Sequence, residues 1–449
     1  MAIKRIMVFV GIISISAVMV WAADNPPAPE LFTKRLLNGL QITVATPPDS
    51  GDDMAIGLVV RYGSAFDPEG KDGVAHFLSR MFMKNAAGKN LKDIERELSY
   101  IGADVEIRFD WDGFRFMLKG NSATYERSLL LLYQIIAEAR FEEDHIAEVR
   151  RAILNDLQKP ADPRDYIRER FEEVLFGGTT YGRSIYGTAG TVSSITIGDI
   201  RHFYRRFFSP HQASLQIVGN LPVDEVLKRA TRIWGVWVQN DDVPFSFLQP
   251  QNPADLQVFI EDVPGSPAAN LIMGWLFPRR EDPGFLNAVM AGRILQERLT
   301  ALMPTALVTV GLEGRRLASP FFIEAQASAD QAVAHIQEIR KAVGEMKSSP
   351  VSEEELAAVK QKLIDEFFSA LKTSAGICSV LLDAELYRLG SNYPAVFLNR
   401  VRLADVEAVR LAANTWFLKD AGLIIMRGPY SVLRPDLGIL GPFRRMVPR

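Results

Sequence analysis

His76 and Arg80 stand one helical turn apart in the segment DGVAHFLSRMFMK, with Ser79 beside them. Residues at i, i+3 and i+4 share a helix face, so an imidazole, a hydroxyl and a guanidinium are gathered in one place. An imidazole can ligate a metal or carry a proton. A guanidinium stays protonated and offers no lone pair to a metal. A serine hydroxyl has no carboxylate and is a poor proton acceptor near neutral pH. Val74, Phe77, Leu78, Met81 and Phe82 fall at i, i+3, i+4, i+7 and i+8. That spacing predicts a helix with a buried apolar stripe and a polar side carrying His76, Ser79 and Arg80.

Other reactive patterns are weaker. Ser369-x-x-Lys372 matches a serine-hydrolase pattern but lacks its S-D-N and K-T-G partners, and it reads as a solvated helix face. His145, His202, His211 and His335 are scattered without ligand spacing. Phosphate loops, dinucleotide fingerprints and C-x-x-C motifs are absent from the sequence. The basic end, FRRMVPR, reads as a frayed terminus.

The chain has 449 residues, 48% hydrophobic and 23% charged, an ordinary globular mixture. At roughly 100–200 residues per domain it has room for about two to four domains. A net charge of -3 argues against a polyanion-binding protein, so no nucleic-acid partner is expected. Cys378, the single cysteine, can form no internal disulfide. At the start, Lys4 and Arg5 precede a predominantly apolar run from Ile6 to Trp21, then Val20-Trp21-Ala22. This is the layout of a secretory signal peptide over 1–22, with cleavage after Ala22. The run is short for a bilayer span of about 20 residues, which favours cleavage over the alternative of an uncleaved anchor. The expected product is an exported, periplasmic or extracellular protein with no stable membrane span after cleavage.

The mature chain reads as one architectural unit used twice. In the first half, LLNGLQITVA suggests a hairpin at Asn38-Gly39, followed by a strand at Ala55–Tyr62. A helix from about Asp72 comes next, then amphipathic helices near Thr124–Ala139 and Glu143–Gln158. A capping box at Thr196-x-x-Asp199 and the strand ASLQIVGNL close the half. The second half repeats that order. A strand at Asn270–Phe277 leads to a helix at Pro283–Leu302, a strand pair at Ala306–Ser328 and helices at Asp330–Met346 and Ser352–Leu371. A helix at Asp405–Phe417 and the strand AGLIIMRGP end it. The Pro-containing stretch 240–255 is the expected linker between domains 28–239 and 256–449. Strands followed by runs of helices favour an α+β class, each domain an antiparallel-rich β-sheet packed against helices.

The hairpin, the phrase RYGSAFDPEGKDGVAHFL, SPHQASLQIVGN and VPGSPAANLIMGWLFPRREDPGF together resemble the insulinase/pitrilysin family. That family includes the mitochondrial processing peptidase subunits and the core subunits of the respiratory bc complex. The resemblance covers nearly the whole mature chain and implies an insulinase-like tandem repeat. In active members the helix reads H-x-x-E-H, with a further glutamate about 76 residues on; the two histidines and that glutamate hold zinc. The glutamate within the motif activates water. Here the matching positions are His76-Phe77-Leu78-Ser79-Arg80, and the distant position falls on Asp156. The second ligand and the base are both missing, so the zinc ligand set is incomplete and no cofactor is expected. Arg80 is expected to pair with Asp156 where the metal would stand.

The resemblance further implies a substrate-gripping arginine and tyrosine in the second half. Arg298 matches the arginine, but Thr305 or Ala306 stands at the tyrosine position. It also implies an edge strand that takes up extended peptides by main-chain hydrogen bonding; the candidate is Asp104–Phe109, with Asp104, Val105 and Glu106 as peptide contacts. The expected function is that of a catalytically inactive subunit paired with an active, zinc-bearing homologue in a heterodimer. The alternatives are a stand-alone peptide-binding or assembly protein like the bc core subunits, and a residual metallopeptidase using His76 and Asp156.

Overall fold

A computed structural model describes residues 29–448, apart from 49, 50, 161, 239, 242 and 350. The proposed signal peptide lies outside the described residues. The first sheet contains β1 (Glu30–Arg35), β2 (Gln41–Thr46), β3 (Asp53–Val60), β4 (Asp104–Phe109), β5 (Phe114–Asn121) and β6 (Ala213–Gly219). The second contains β7 (Leu256–Asp262), β8 (Ala268–Phe277), β9 (Leu307–Leu312), β10 (Ser319–Ser328), β11 (Gly422–Gly428) and β12 (Phe443–Met446).

The strand orders are β1-β2-β6-β3-β5-β4 and β9-β10-β8-β11-β7-β12. Reading the second backwards superimposes the connectivity of the two. In each, the domain's late strand (β6 or β11) inserts between two early ones, parallel to the first (β2 or β7) and antiparallel to the next. The sheets are therefore mixed rather than purely antiparallel, because that late strand returns only after the helices have crossed back. The outermost strand differs. β1 arrives by a hairpin, antiparallel to β2, whereas β12 comes from the chain's end and lies parallel to β7. The basic C-terminal segment is thus an edge strand and not a frayed end; Arg445 binds Asp262 at 3.1 Å and lies over the Tyr430 ring.

Both faces of each sheet are covered, which is why β3 and β8 are apolar almost throughout. One face of the first sheet packs on its own helices, among them Val74–Met81, Tyr125–Ala137, Glu143–Leu157 and Ile197–Phe207. Its other face receives a helix of the second domain, Ser374–Leu386, whose Ile377, Cys378, Leu381 and Leu382 pack on Ala55, Val59 and Val218. The second sheet is served the same way: Pro163–Phe176, from the first domain, sets Ile167, Phe171 and Leu175 against Ile272, Phe322 and Ile425. The domains thus exchange one helix each. Ion pairs follow the exchange, with Arg168 bidentate to Glu324 at 2.7 and 2.9 Å and Arg115 bonded to Asp383 at 2.9 Å.

The linker is packed too. Phe245 stacks on Tyr62 with ring centroids 5.0 Å apart, and the Tyr62 hydroxyl donates to the Val243 carbonyl at 2.9 Å. Among the described residues no single helix is long and apolar enough to cross a membrane.

Candidate functional site

The helix Val74–Met81 owes its position to Asp67, whose carboxylate accepts the Gly73 and Ala75 N–H groups at 2.8 and 2.9 Å. These are donors that a helix start leaves unpaired. Gly73 has φ +96°, and a Cβ there would come within 2.9 Å of the Tyr186 carbonyl oxygen. Gly187, at φ +78°, meets the same segment from the other side, where a Cβ would lie 2.4 Å from the Asp72 oxygen. Two glycines therefore allow the loop around Tyr186 to lie directly on the start of the helix. Arg183 fastens that loop through the Asp67 carbonyl and the Asp72 carboxylate, each at 3.0 Å.

His76 is consequently buried, only 5% exposed, although its helical position had placed it on the polar side. Its ring stacks on Phe109, at the end of β4, and meets the Tyr186 ring edge-on. Its Nδ1–H points to the Tyr186 carbonyl oxygen at 3.3 Å. Burial, with a smaller push from Arg80, lowers the imidazole pKa to about 4, so it is neutral near pH 7.

The neighbouring positions are committed elsewhere. The Ser79 hydroxyl donates to the His76 carbonyl oxygen at 2.7 Å. Arg80 Nη2 binds Asp156 Oδ2 at 2.9 Å, and Lys159 Nζ binds the other oxygen, Oδ1, at 2.6 Å. Lys159 first, then Arg80, holds the Asp156 carboxyl below the usual carboxylate range. The expected Arg80–Asp156 pair is therefore present. A zinc ion of the kind implied by the resemblance does not fit this donor set: one buried imidazole faces a carboxylate whose two oxygens are each held by a cation. Among the described residues, no group of three or more His, Cys, Asp and Glu side chains could hold a metal ion.

Beside Tyr186 opens a cavity of about 440 Å³ between the domains, lined by Trp111, Asp165, Glu169, Tyr186, Glu313 and Arg315 among others. Its floor is a buried polar junction. Arg315 Nη2 meets both carboxylate oxygens of Glu172, each at 2.9 Å, under the Trp111 ring. The Tyr181 hydroxyl donates to Asp112 Oδ1, whose other oxygen accepts the Arg316 N–H at 3.0 Å. These residues escaped the sequence reading. The aromatic and glycine cluster from Tyr181 to Gly187 was the available signal.

The remaining predicted contacts separate. Asp104–Phe109 forms the outermost strand of the first sheet, as β4, and Phe109 carries it to His76. Asp104 is exposed and Val105 half-buried, while Glu106 is bound by Arg108 and by Lys119 at 3.1 Å. Arg298 is gripped by Glu355 at 2.7 and 2.9 Å. Because Glu355 also closes the Ser352 capping box, the arginine ties two helices of the second domain together.

The chain was compared with known proteins. The family model described as Insulinase (Peptidase family M16) matches residues 43–189, and that described as Peptidase M16 inactive domain matches residues 194–363. An uncharacterized zinc protease of Rickettsia bellii is 26% identical over 213 residues, 47% of this chain and 52% of that protein. The chain thus spans about half the length of the first curated relatives it matches. A solved peptidase M16 inactive domain from Pseudomonas fluorescens has a similar fold, with TM-score 0.81, 21% identity and coverage of 89% and 98% of the two chains. The first half of the periplasmic protease PqqL from Escherichia coli aligns with TM-score 0.75, 17% identity and coverage of 91% and 94%.

Proposed function

The chain belongs to the insulinase family of peptidases, M16, and on that premise we propose that it is a non-catalytic, peptide-binding member that works beside a separate zinc-bearing homologue. One observation carries the reading: Arg80 occupies Asp156 at the position where an active member would bind metal, and Ser79 replaces the water-activating acid. Hydrolysis needs a nucleophilic water and a group to take its proton, and the helix supplies neither.

Peptide binding follows from the sheet edge. A strand at an edge offers unpaired N–H and C=O groups to an extended chain, which can pair irrespective of its side chains. Such a peptide added outside β4 would pass Phe109 and so lie beside His76, in the cleft that leads to Tyr186. The peptide would be held without being cut. Export to the periplasm agrees with the signal-like residues 1–22 and with the similarity in fold to the periplasmic protease PqqL.

The test is co-expression with a homologue bearing intact H-x-x-E-H from the same genome. Co-purification as a heterodimer, with peptidase activity greater than either chain alone, is the expected result. Activity of the isolated chain that is abolished by chelation would sink the reading.

A further inference from the structure

A second crevice between the domains, of about 120 Å³, gathers three guanidiniums: Arg61 from the first domain, Arg316 and Arg388 from the second. Like charges converge only against Coulomb repulsion, which Glu385 near Arg61 and Asp112 near Arg316 offset in part. Arg61 Nε is buried and, among the described residues, has no hydrogen-bond partner. Its Nη1 donates to the Glu385 carbonyl at 3.3 Å and lies 4.0 Å from that residue's carboxylate. Burial lowers the Arg61 pKa; Glu385 opposes this, while Arg388, Arg316 and Arg35 lower it further. Arg316 directs its donors to two neutral groups, the carbonyls of Arg61 at 3.2 Å and Asp112 at 3.0 Å. The neighbouring carboxylates are engaged: Glu281 binds Arg279 at 3.1 Å, Glu385 accepts Gln41 Nε2 at 2.7 Å, and Asp112, which lies within the field of Arg316, accepts the Tyr181 hydroxyl and the Arg316 backbone N–H.

Arg388 is the informative member. It follows the helix Ser374–Leu386 with φ +55°, a left-handed conformation in which glycine is the usual residue. Placing arginine there costs stability, and among the described residues its exposed side chain makes no ion pair. The crevice walls also include Phe245, which lies under the Arg316 guanidinium at 4.5 Å, and Tyr387. Sharing Glu281 and Arg388 with it is a groove of about 390 Å³ whose apolar wall is Phe285, Leu312, Tyr393 and Phe397 and whose rim carries Arg280, Asp282 and Arg400, Arg280 being held by the Tyr393 hydroxyl.

We propose that Arg61, Arg316 and Arg388 form a binding site for the carboxylate of a ligand whose apolar body lies along the adjoining groove. Guanidiniums fix a carboxylate by paired, charge-assisted hydrogen bonds, and the aromatic walls take up the carbon skeleton. The ligand is either a peptide's free C-terminus or a small carboxylic acid. This site uses neither His76 nor β4 and requires no partner chain, so it stands or falls apart from the function proposed above.

Calorimetric titration of the full chain with phenylbutyrate, phenylbutyramide and inorganic phosphate tests it. Phenylbutyrate should bind, and the amide should bind at least about tenfold more weakly, as should phosphate, which lacks the apolar body. Arg388→Gly should lose about tenfold or more in phenylbutyrate affinity while its melting temperature holds or rises, because glycine suits the backbone there. Arg61→Gln should show the same loss. An apolar peptide with a free C-terminus binding more tightly than phenylbutyrate, with its amidated form weak, identifies the peptide source. The reverse order identifies a small acid. The proposal is overturned if phenylbutyrate does not bind, if the amide or phosphate matches it, or if Arg388→Gly binds it as well as the unaltered chain.

Discussion

Arg80 reaches across 76 residues of chain to bind Asp156 at 2.9 Å, and the pair lies at the surface rather than in the core. Its place is chemically decisive and energetically minor. Exposed pairs of this kind are screened by water and contribute little to stability.

Zinc uptake follows from that arrangement. Dialysed against excess zinc and washed, the chain is expected to retain none stoichiometrically, and its melting temperature should be the same with or without chelator. The triple variant Ser79→Glu, Arg80→His, Asp156→Glu restores the missing donors and should hold one zinc per chain. Elemental analysis decides, and one tightly held zinc in the unaltered protein would contradict the site described here.

Two arginines should differ sharply in their effect on stability. Arg80→Ala is expected to leave the urea midpoint almost unchanged. Arg315→Ala strips the buried Glu172 carboxylate of its guanidinium partner and should cost about 3–5 kcal/mol. Urea denaturation of both variants measures the contrast; equal effects would mean that the junction beneath Trp111 does not hold the domains together.

His76 supplies a pH dependence of known sign. An imidazole titrating near 6.5 when unfolded is lowered by burial to about 4 in the fold, so the native state binds fewer protons. Its stabilising contribution is complete above about pH 6.5 and is lost as pH falls toward 4, up to about 3 kcal/mol in all. His76→Gln should flatten that part of the profile. Urea midpoints of the two proteins at about pH 7.5 and about pH 4.5 give the comparison; parallel profiles would show that the ring is not buried neutral.

The exchanged helix can be challenged from the sheet below it. A Cβ at Gly57 would come 2.6 Å from the Cys378 sulfur and 2.8 Å from Leu382. Gly57→Val is therefore expected to destabilise by about 1–3 kcal/mol through overpacking. Adding Leu382→Ala should recover part of the loss, a non-additivity that a double-mutant cycle reads directly.

Much of this fold was legible in the sequence because it is local. The stripe of Val74, Phe77 and Met81, and the capping boxes at Thr196 and Ser352, each became a helix within a few residues of the expected ends. The exchanged helices were not read. In Pro163–Phe176 the charged Arg168 and Glu172 look solvent-facing, yet their partners, Glu324 and Arg315, come from the other domain. Periodicity tells that a helix has an apolar stripe, not which sheet will receive it. The burial of His76 was hidden for the same reason: Tyr186, 110 residues away, covers it. The spacing of H-x-x-E-H did locate the Arg80–Asp156 contact, since the fold brings those two positions together whatever residues stand there.

The exchange of helices also bears on how the molecule behaves when the chain is broken. A protease nick anywhere in residues 240–255 should leave two fragments clasped together, since each would have to bare an oily sheet face to leave. Neither half expressed by itself should stay dispersed in water for long, whereas the two produced as separate polypeptides in one cell should find each other and assemble.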